Sequence, residues 1–446
     1  MRHATIVIAL ALIAAHPLAQ SHALVAPAAA VIYQRLLPQI ERIKIFDHHA
    51  HPALPDDPDV DAAPPPPGKA PLRLRDDNPE PIAAARALFG FPFADLKGPH
   101  AKWLIDKKAA LRKAKPGVQY FNDILDRVGI ETSAANRVAM PDYLDPARFK
   151  WVFFVDSFMF PFDNSALAAR NGDEAVYMPL QTKMRQRYEQ QLAESEGRAS
   201  SAPTQLPRTY TEYLAFVSRS MEDSKKRGGI AVKFEASYFR SLAFDDPPRE
   251  VASALYDRYR ARGVPSMDEY KTFQDAIFRH IITEAGRLHL PVHIHSSSGG
   301  GDYFNVRGVN VLNLENVLHD PRYLQTTFVL IHGGYPFDRE AGLLAAMKNV
   351  YLDSSAVELV LYPTEFKEML KRWLEMYPDK ITFGTDAFPF GEALGVEEVY
   401  WLGVHSSRDA LAAALAEMIA AHEITEARAL QFAHMYLHDT AAALYK

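Results

Sequence analysis

The sequence predicts an α/β protein: one (β/α)8 TIM barrel carrying N-terminal insertions and extra C-terminal helices. Three observations predict it. Short apolar, β-branched runs recur eight times along the 446 residues, and segments of helical periodicity separate them. Ionisable residues fall repeatedly just after those runs, where the C-terminal ends of barrel strands build active sites. A doubly wound open sheet is the alternative, but no Gly-rich phosphate loop follows the first strand to support it.

Taken in order, the first strand is expected at 43–47. An exposed insertion follows over roughly 52–116, containing the run Pro64-Pro65-Pro66-Pro67 and several Asp, with helical patterns at 84–89 and 102–113. A helix at 120–128 leads to strands at 137–140 and 151–155. A second, polar and partly helical insertion covers 160–207. The amphipathic helix at 210–227 stops at Gly228-Gly229. Strands at 230–235, 291–295, 327–332, 350–353 and 381–386 complete the set, with helices at 267–288, 337–348 and 365–377. The Ala- and Leu-rich stretch 408–446 supplies the helices that close the barrel from outside. Residues 24–446 are thus read as a single unit.

Residues 1–23 read as a signal peptide: Met1-Arg2-His3, an apolar run at 4–15, and Ser21 and Ala23 at small-residue cleavage positions. The run is shorter than the ~20 residues that span a bilayer, so no membrane association is expected. The expected location is periplasmic or secreted, the alternative being a cytoplasmic protein whose amino-terminal helix packs through 24–37. Lys plus Arg is 49 against 55 Asp plus Glu, a net charge of −6 without long runs, which offers no face for nucleic acid. With 48% hydrophobic and 23% charged residues the chain is not disordered by composition. Cysteine is absent, excluding thiolate chemistry, so a transition metal must sit on the 17 His and the carboxylates.

The strand ends carry the chemistry. After the first strand comes Asp47-His48-His49-Ala50-His51. Period-two geometry places Asp47, His49 and His51 inside the barrel, with Phe46 and His48 facing out. Two imidazoles on one face can share an ion, with a carboxylate orienting one of them. On the fifth strand His293 and His295 share a face; His295 is nearer the mouth, and His293 is either a deeper core residue or a substrate contact. The sixth strand ends His332-Gly333-Gly334 and the eighth ends at Asp386, while Asp353 after the seventh reads as a helix N-cap. Lys233 on the fourth strand points inward, where an ammonium must pair with Glu235 or Asp386, bind a substrate carboxylate, or be carboxylated to a metal-bridging carbamate. Tyr238, Arg240, Arg307 and Tyr335 lie in loops beyond strands four to six, where a substrate carboxylate would need a cation. Gly299-Gly300-Gly301-Asp302 reads as a turn that could hinge a lid.

The ordered set His49-x-His51, Lys233, His295, His332, Asp386 resembles the amidohydrolase superfamily of metal-dependent barrels. The local texts 45–51, 332–337, 385–387 and 433–439 look closest to the amidohydrolase-related branch. That branch includes aminocarboxymuconate-semialdehyde-type decarboxylases and barrels fused to glutamine-synthetase-type domains. The resemblance implies that His49, His51, His295 and Asp386 bind a divalent ion, Zn most naturally, in a mononuclear site. Lys233, if carboxylated, and His332 would join them in a binuclear one. It further implies Asp386 and His332 as catalytic residues. Position on and just beyond the strands, not the resemblance, makes His293, Glu235, Tyr238, Arg240, Arg307 and Tyr335 the candidate contacts of a small-molecule, carboxylate-bearing substrate. The reaction expected first is hydrolysis of a C–N bond (amide, cyclic amide or amine). Non-hydrolytic decarboxylation of an unsaturated or aromatic acid and an inactive binding barrel are the alternatives, and a homo-oligomer is compatible with all three.

Overall fold

In the computed structural model the described residues are 24–57, 70–170, 172–198, 206–297 and 306–445. The expected signal peptide, the tetraproline run and the triglycine turn lie outside them. Eight parallel strands follow one another around a barrel: β1 (Ile45–Ala50), β2 (Ile130–Arg137), β3 (Phe149–Phe154), β4 (Gly229–Phe234), β5 (Val292–His295), β6 (Phe328–Ile331), β7 (Val350–Asp353) and β8 (Ile381–Thr382). The segment after β8 closes the ring against β1 through a parallel bridge, Ala50 to Ala387, and amide hydrogen bonds from His48 to Phe383 and from His51 to Ala387.

Local chemistry starts and stops the outer helices as the sequence leads one to expect. Tyr210–Lys226 and Met267–Arg287 each begin with a reciprocal capping box, Thr209 with Glu212 and Ser266 with Glu269. Helix Gln119–Val128 ends at Gly129, whose φ of 83° turns the chain directly into β2. The expected strand at 137–140 is therefore misplaced: β2 starts seven residues earlier, over the text IETSAANR. Its inward positions are small because Phe46 and Val152 fill the neighbouring space, so it lacks the β-branched run that marks a strand.

Helices Pro79–Phe89 and Gly98–Ala114 of the first insertion dock on the long helix Val396–Ala420 through two buried cations. Arg73 spans Glu80 at 2.6 Å, Ser406 at 2.7 Å and the Glu358 carbonyl at 2.5 Å, while Lys108 reaches Glu398 at 2.5 Å and Glu397 at 3.3 Å. Helix Ala30–Ile40 buries Tyr33, Leu36 and Ile40 in the core shared by barrel wall and helices. Helix Gly172–Ser195 occupies the second insertion. At the base, Phe46, Ala134, Val152 and Ala231 meet Ala441 on the short helix Thr440–Leu444. Among the described residues no helix is long and apolar enough to cross a membrane.

Candidate active site

Strand parity at β1 is the reverse of the expectation. Phe46 packs with inward residues of β2, β3 and β4, and His48 is stacked on His293 of β5 at 4.6 Å inside the barrel. Asp47 points outward instead, accepting from Ser133 at 2.8 Å and from the Thr385 amide at 2.8 Å, with Tyr400 beyond Ser133. The β1–β2 pairing shifts register between Asp47 and Ala50. That irregularity, a bulge of the kind that re-aims side chains at barrel rims, returns His49 to the interior.

Once returned, His49 stands at the centre of the cluster. Its Nε2 lies 3.2 Å from Asp386 Oδ1, 3.3 Å from His51 Nε2 and 3.2 Å from Lys233 Nζ. His51 Nε2 is 3.4 Å from the same Asp386 oxygen. His332 packs edge-on to His49 at 5.3 Å between ring centres, and its Nε2 is 3.2 Å from His295 Nδ1. One ligand atom each from His49, His332 and Asp386 falls within 4.8 Å of the others. All are buried, down to 9% exposure for Asp386 at the mouth.

The strand ends that deliver these groups are strained. His332 and Asp386 have φ of 66° and 47°, a left-handed conformation that side chains other than Gly adopt at a cost of about 1–3 kcal/mol. The strain persists because the surroundings hold it. His332 Nδ1 donates to the Ser355 carbonyl at 2.8 Å, and the Asp386 amide donates to the His49 carbonyl at 2.8 Å.

Electrostatics favour neutral imidazoles. Burial, then the Lys233 cation, holds His49 well below the usual histidine range; burial and His332 do the same for His295. Burial also lowers His332, against the opposing pull of Asp386. Neutral imidazole is the form that ligates a metal. His295 Nε2, buried without a hydrogen-bond partner, is a free lone-pair position of the same kind. The donor set of imidazole and carboxylate therefore suits a divalent transition ion such as zinc.

The other expected residues separate into three groups. Glu235 and Tyr238 stay at the site: Glu235 Oε1 is 3.7 Å from Lys233 Nζ, and the Tyr238 ring lies 4.4 Å from that of His295. Tyr335 is half-buried against the core just past His332, and Arg307 is exposed on its loop. His293 takes the deeper of the two places open to it and is no longer a substrate contact, and Arg240 is corrected. His293 lies one layer deeper, its Nε2 2.7 Å from the Tyr445 hydroxyl. Arg240 is consumed within its own loop, at 2.6 Å from Asp275 and stacked over Phe244, so its charge is already spoken for. Asp353 is not a helix cap either; it sits inside the barrel, 3.1 Å from His48 Nδ1.

Sequence reasoning missed Asn136, whose amide nitrogen is 2.9 Å from His49 Nδ1 and 3.1 Å from the Ala50 carbonyl, bracing the bulge. It also missed Ser355, Asp353 as a buried acceptor, and Phe154, whose ring parallels His51 at 6.4 Å. A polar residue one position before a strand's end was the available signal for Asn136, had β2 been placed correctly.

A family model described as Amidohydrolase matches residues 210–446, which hold Lys233, His295, His332 and Asp386. Protein fluG of Emericella nidulans is 30% identical over 158 residues, 35% of this chain and 17% of that protein. A Lactobacillus casei structure described as a metal-dependent hydrolase superposes with a TM-score of 0.59 at 18% identity, covering 92% of this chain and 97% of that one. The uronate isomerase of Thermotoga maritima superposes at 0.56 with 11% identity, covering 95% and 98%. At these identities the structural likeness is one of fold.

Proposed function

Since this chain belongs to the amidohydrolase family, we propose that it is a metal-dependent hydrolase that cleaves a C–N bond of a small, carboxylate-bearing molecule. One observation carries the reading: His49 Nε2, His51 Nε2 and Asp386 Oδ1 lie within 3.4 Å of one another at the strand ends. His49, His51 and Asp386 would hold the ion, with His295 and His332 flanking it. When bound, a divalent ion supplies a Lewis acid and brings the pKa of a water towards ~7.

The side chains divide the remaining work. Asp386, at the mouth, takes the proton of the attacking water and returns it to the leaving nitrogen. His332, its Nδ1 hydrogen held by the Ser355 carbonyl, turns the Nε2 lone pair towards the reacting group, where it accepts a hydrogen bond from the attacking water and orients it. Lys233, 3.7 Å from Glu235, would serve as its ion-pair partner beside a single ion, and a carbamate on Lys233 would instead bridge two. Tyr238 walls the His295 side.

Elemental analysis of the protein as purified and after loading with Zn²⁺ or Mn²⁺ tests the metal. The expected content is about one ion per chain, lost in His51→Ala and in Asp386→Asn, with no carboxyl mass added to Lys233. A chain that takes up no metal refutes the reading. Screening the loaded protein on amides, cyclic amides and amines then tests the reaction. Release of CO2 without water consumption, or isomerisation of a uronate, in the absence of any hydrolysis would replace it.

A further inference from the structure

Beneath the cluster described above lies a second layer of polar side chains that no step of the proposed hydrolysis uses. His48, His293 and Asp353 face one another inside the barrel, fully buried. Tyr445, just past the helix Thr440–Leu444, enters from the barrel base, its ring stacked on Phe46 at 5.7 Å. Its hydroxyl is 2.6 Å from His48 Nε2 and 2.7 Å from His293 Nε2.

The donors in this layer have one consistent direction. A backbone carbonyl only accepts, so His332 Nδ1 carries the hydrogen that meets Ser355 O at 2.8 Å. Ser355 in turn donates its amide, at 3.0 Å, and its hydroxyl to Asp353 Oδ1. The other Asp353 oxygen lies 3.1 Å from His48 Nδ1, and a carboxylate there makes Nδ1 the donor. In a neutral His48, Nε2 is then a lone pair and takes the Tyr445 hydroxyl hydrogen. The Tyr445 oxygen accepts from His293 Nε2, leaving His293 Nδ1 as a lone pair, and that atom is the one buried without a partner. With the imidazoles neutral, reversing any member would set two donors or two acceptors face to face.

We propose that Tyr445 is a positioning residue, acting through His48 and Asp353 to hold Ser355, whose carbonyl and hydroxyl oxygens lie 2.8 and 3.1 Å from His332 Nδ1 and keep its hydrogen there, leaving Nε2 to face the site. The inference rests on the metal-site reading for its consequence: a His332 ligand atom lies within 4.8 Å of those of His49 and Asp386, so the flanking imidazole can reach the same ion, and second-layer hydrogen bonds of this kind fix the orientation and basicity of imidazoles at a metal. The hydrogen-bond chain itself is independent of that reading. A tyrosine serving only as a plug would do its work through the ring, which phenylalanine retains.

The test is Tyr445→Phe, with Asp353→Asn as a second variant that cuts the same chain closer to His332. Long-range 15N–1H spectra of the metal-free protein, assigned with His48→Gln, His293→Gln and His332→Gln, read each tautomer directly. The wild type is expected to show Nδ1–H on His48 and His332 and Nε2–H on His293. Tyr445→Phe is expected to mix the tautomers at His48 and His293 and to broaden or shift His332, with an unchanged circular dichroism spectrum. Zinc affinity, read by chelator competition, is expected to fall about 10-fold or more, the range for loss of a supporting hydrogen bond. Wild-type tautomers together with zinc affinity within twofold in Tyr445→Phe overturn the proposal. A wild type that binds no zinc refutes the hydrolase reading alone, because the tautomers still report on the chain.

Discussion

Replacing Gly333 by alanine tests how the His332-Gly333-Gly334 turn is held. Gly333 has φ of 55°, and a methyl there would lie 2.1 Å from Trp373 Cη2 and 2.7 Å from Cζ2. Trp373 cannot simply swing away: it is 1% exposed, and its Nε1 donates to the Asp338 carbonyl at 2.8 Å. The left-handed conformation costs alanine about 1–2 kcal/mol, and forcing a packed ring aside costs about 1–3 kcal/mol. The sum, about 2–5 kcal/mol, is a large share of a typical 5–15 kcal/mol stability. Trp373→Phe removes the ring edge that meets the methyl, so it relieves the steric part and leaves the conformational part. Alone, that change opens a void and strands the Asp338 carbonyl. A double-mutant cycle by urea unfolding, followed by circular dichroism, should give a favourable coupling of about 1–3 kcal/mol. Additivity within about 0.5 kcal/mol would show that the methyl and the indole do not meet, and the account of the turn would fail.

Three further outcomes follow from buried charge. Burial pushes Asp47 up to about 7 despite its Ser133 and Thr385 donors. A carboxyl raised in the folded state binds its proton more tightly there, so its contribution is complete below about pH 4 and fades as pH rises towards 7. Wild-type stability relative to Asp47→Asn should therefore fall by up to about 1.4 kcal/mol per pH unit across that window; parallel pH curves for the two proteins would contradict it. Arg240→Met should destabilise by about 3 kcal/mol, the low end for a broken buried pair, because Lys271 remains 2.7 Å from Asp275. Its KM should stay within twofold of wild type, and a large rise would reinstate Arg240 as a substrate contact. Arg73→Met removes the clamp between the first insertion and the helix Val396–Ala420, so limited proteolysis should cut faster within 70–114, and an unchanged digestion rate would refute the clamp.

The barrel was legible because seven of its strands are apolar runs bounded by helical periodicity, and because ionisable groups recur at their ends. Val350–Asp353 matches the expected strand residue for residue, and most of the others differ by one or two positions. β2 was illegible for a packing reason. Where Phe46 and Val152 already occupy the interior, Ala134 and Asn136 suffice, and a strand of small and polar residues carries no propensity signal.

His49, His51, Lys233, His295, His332 and Asp386 were readable as a set because each sits at a strand end, and the structure brings all six together. Parity within β1 was not readable, because alternation holds only while the ladder is regular. One register shift between Asp47 and Ala50 exchanges the roles of Asp47 and His48 while leaving His49 and His51 at the mouth. The exchange has a chemical reason. Asp47, sent outside, fastens the Thr385 amide and so the loop that carries Asp386. His48, kept inside, meets Asp353 and Tyr445, residues 305 and 397 positions away in sequence. Contacts at that separation leave no local pattern, so a second layer beneath a strand-end site becomes visible only once the barrel is closed.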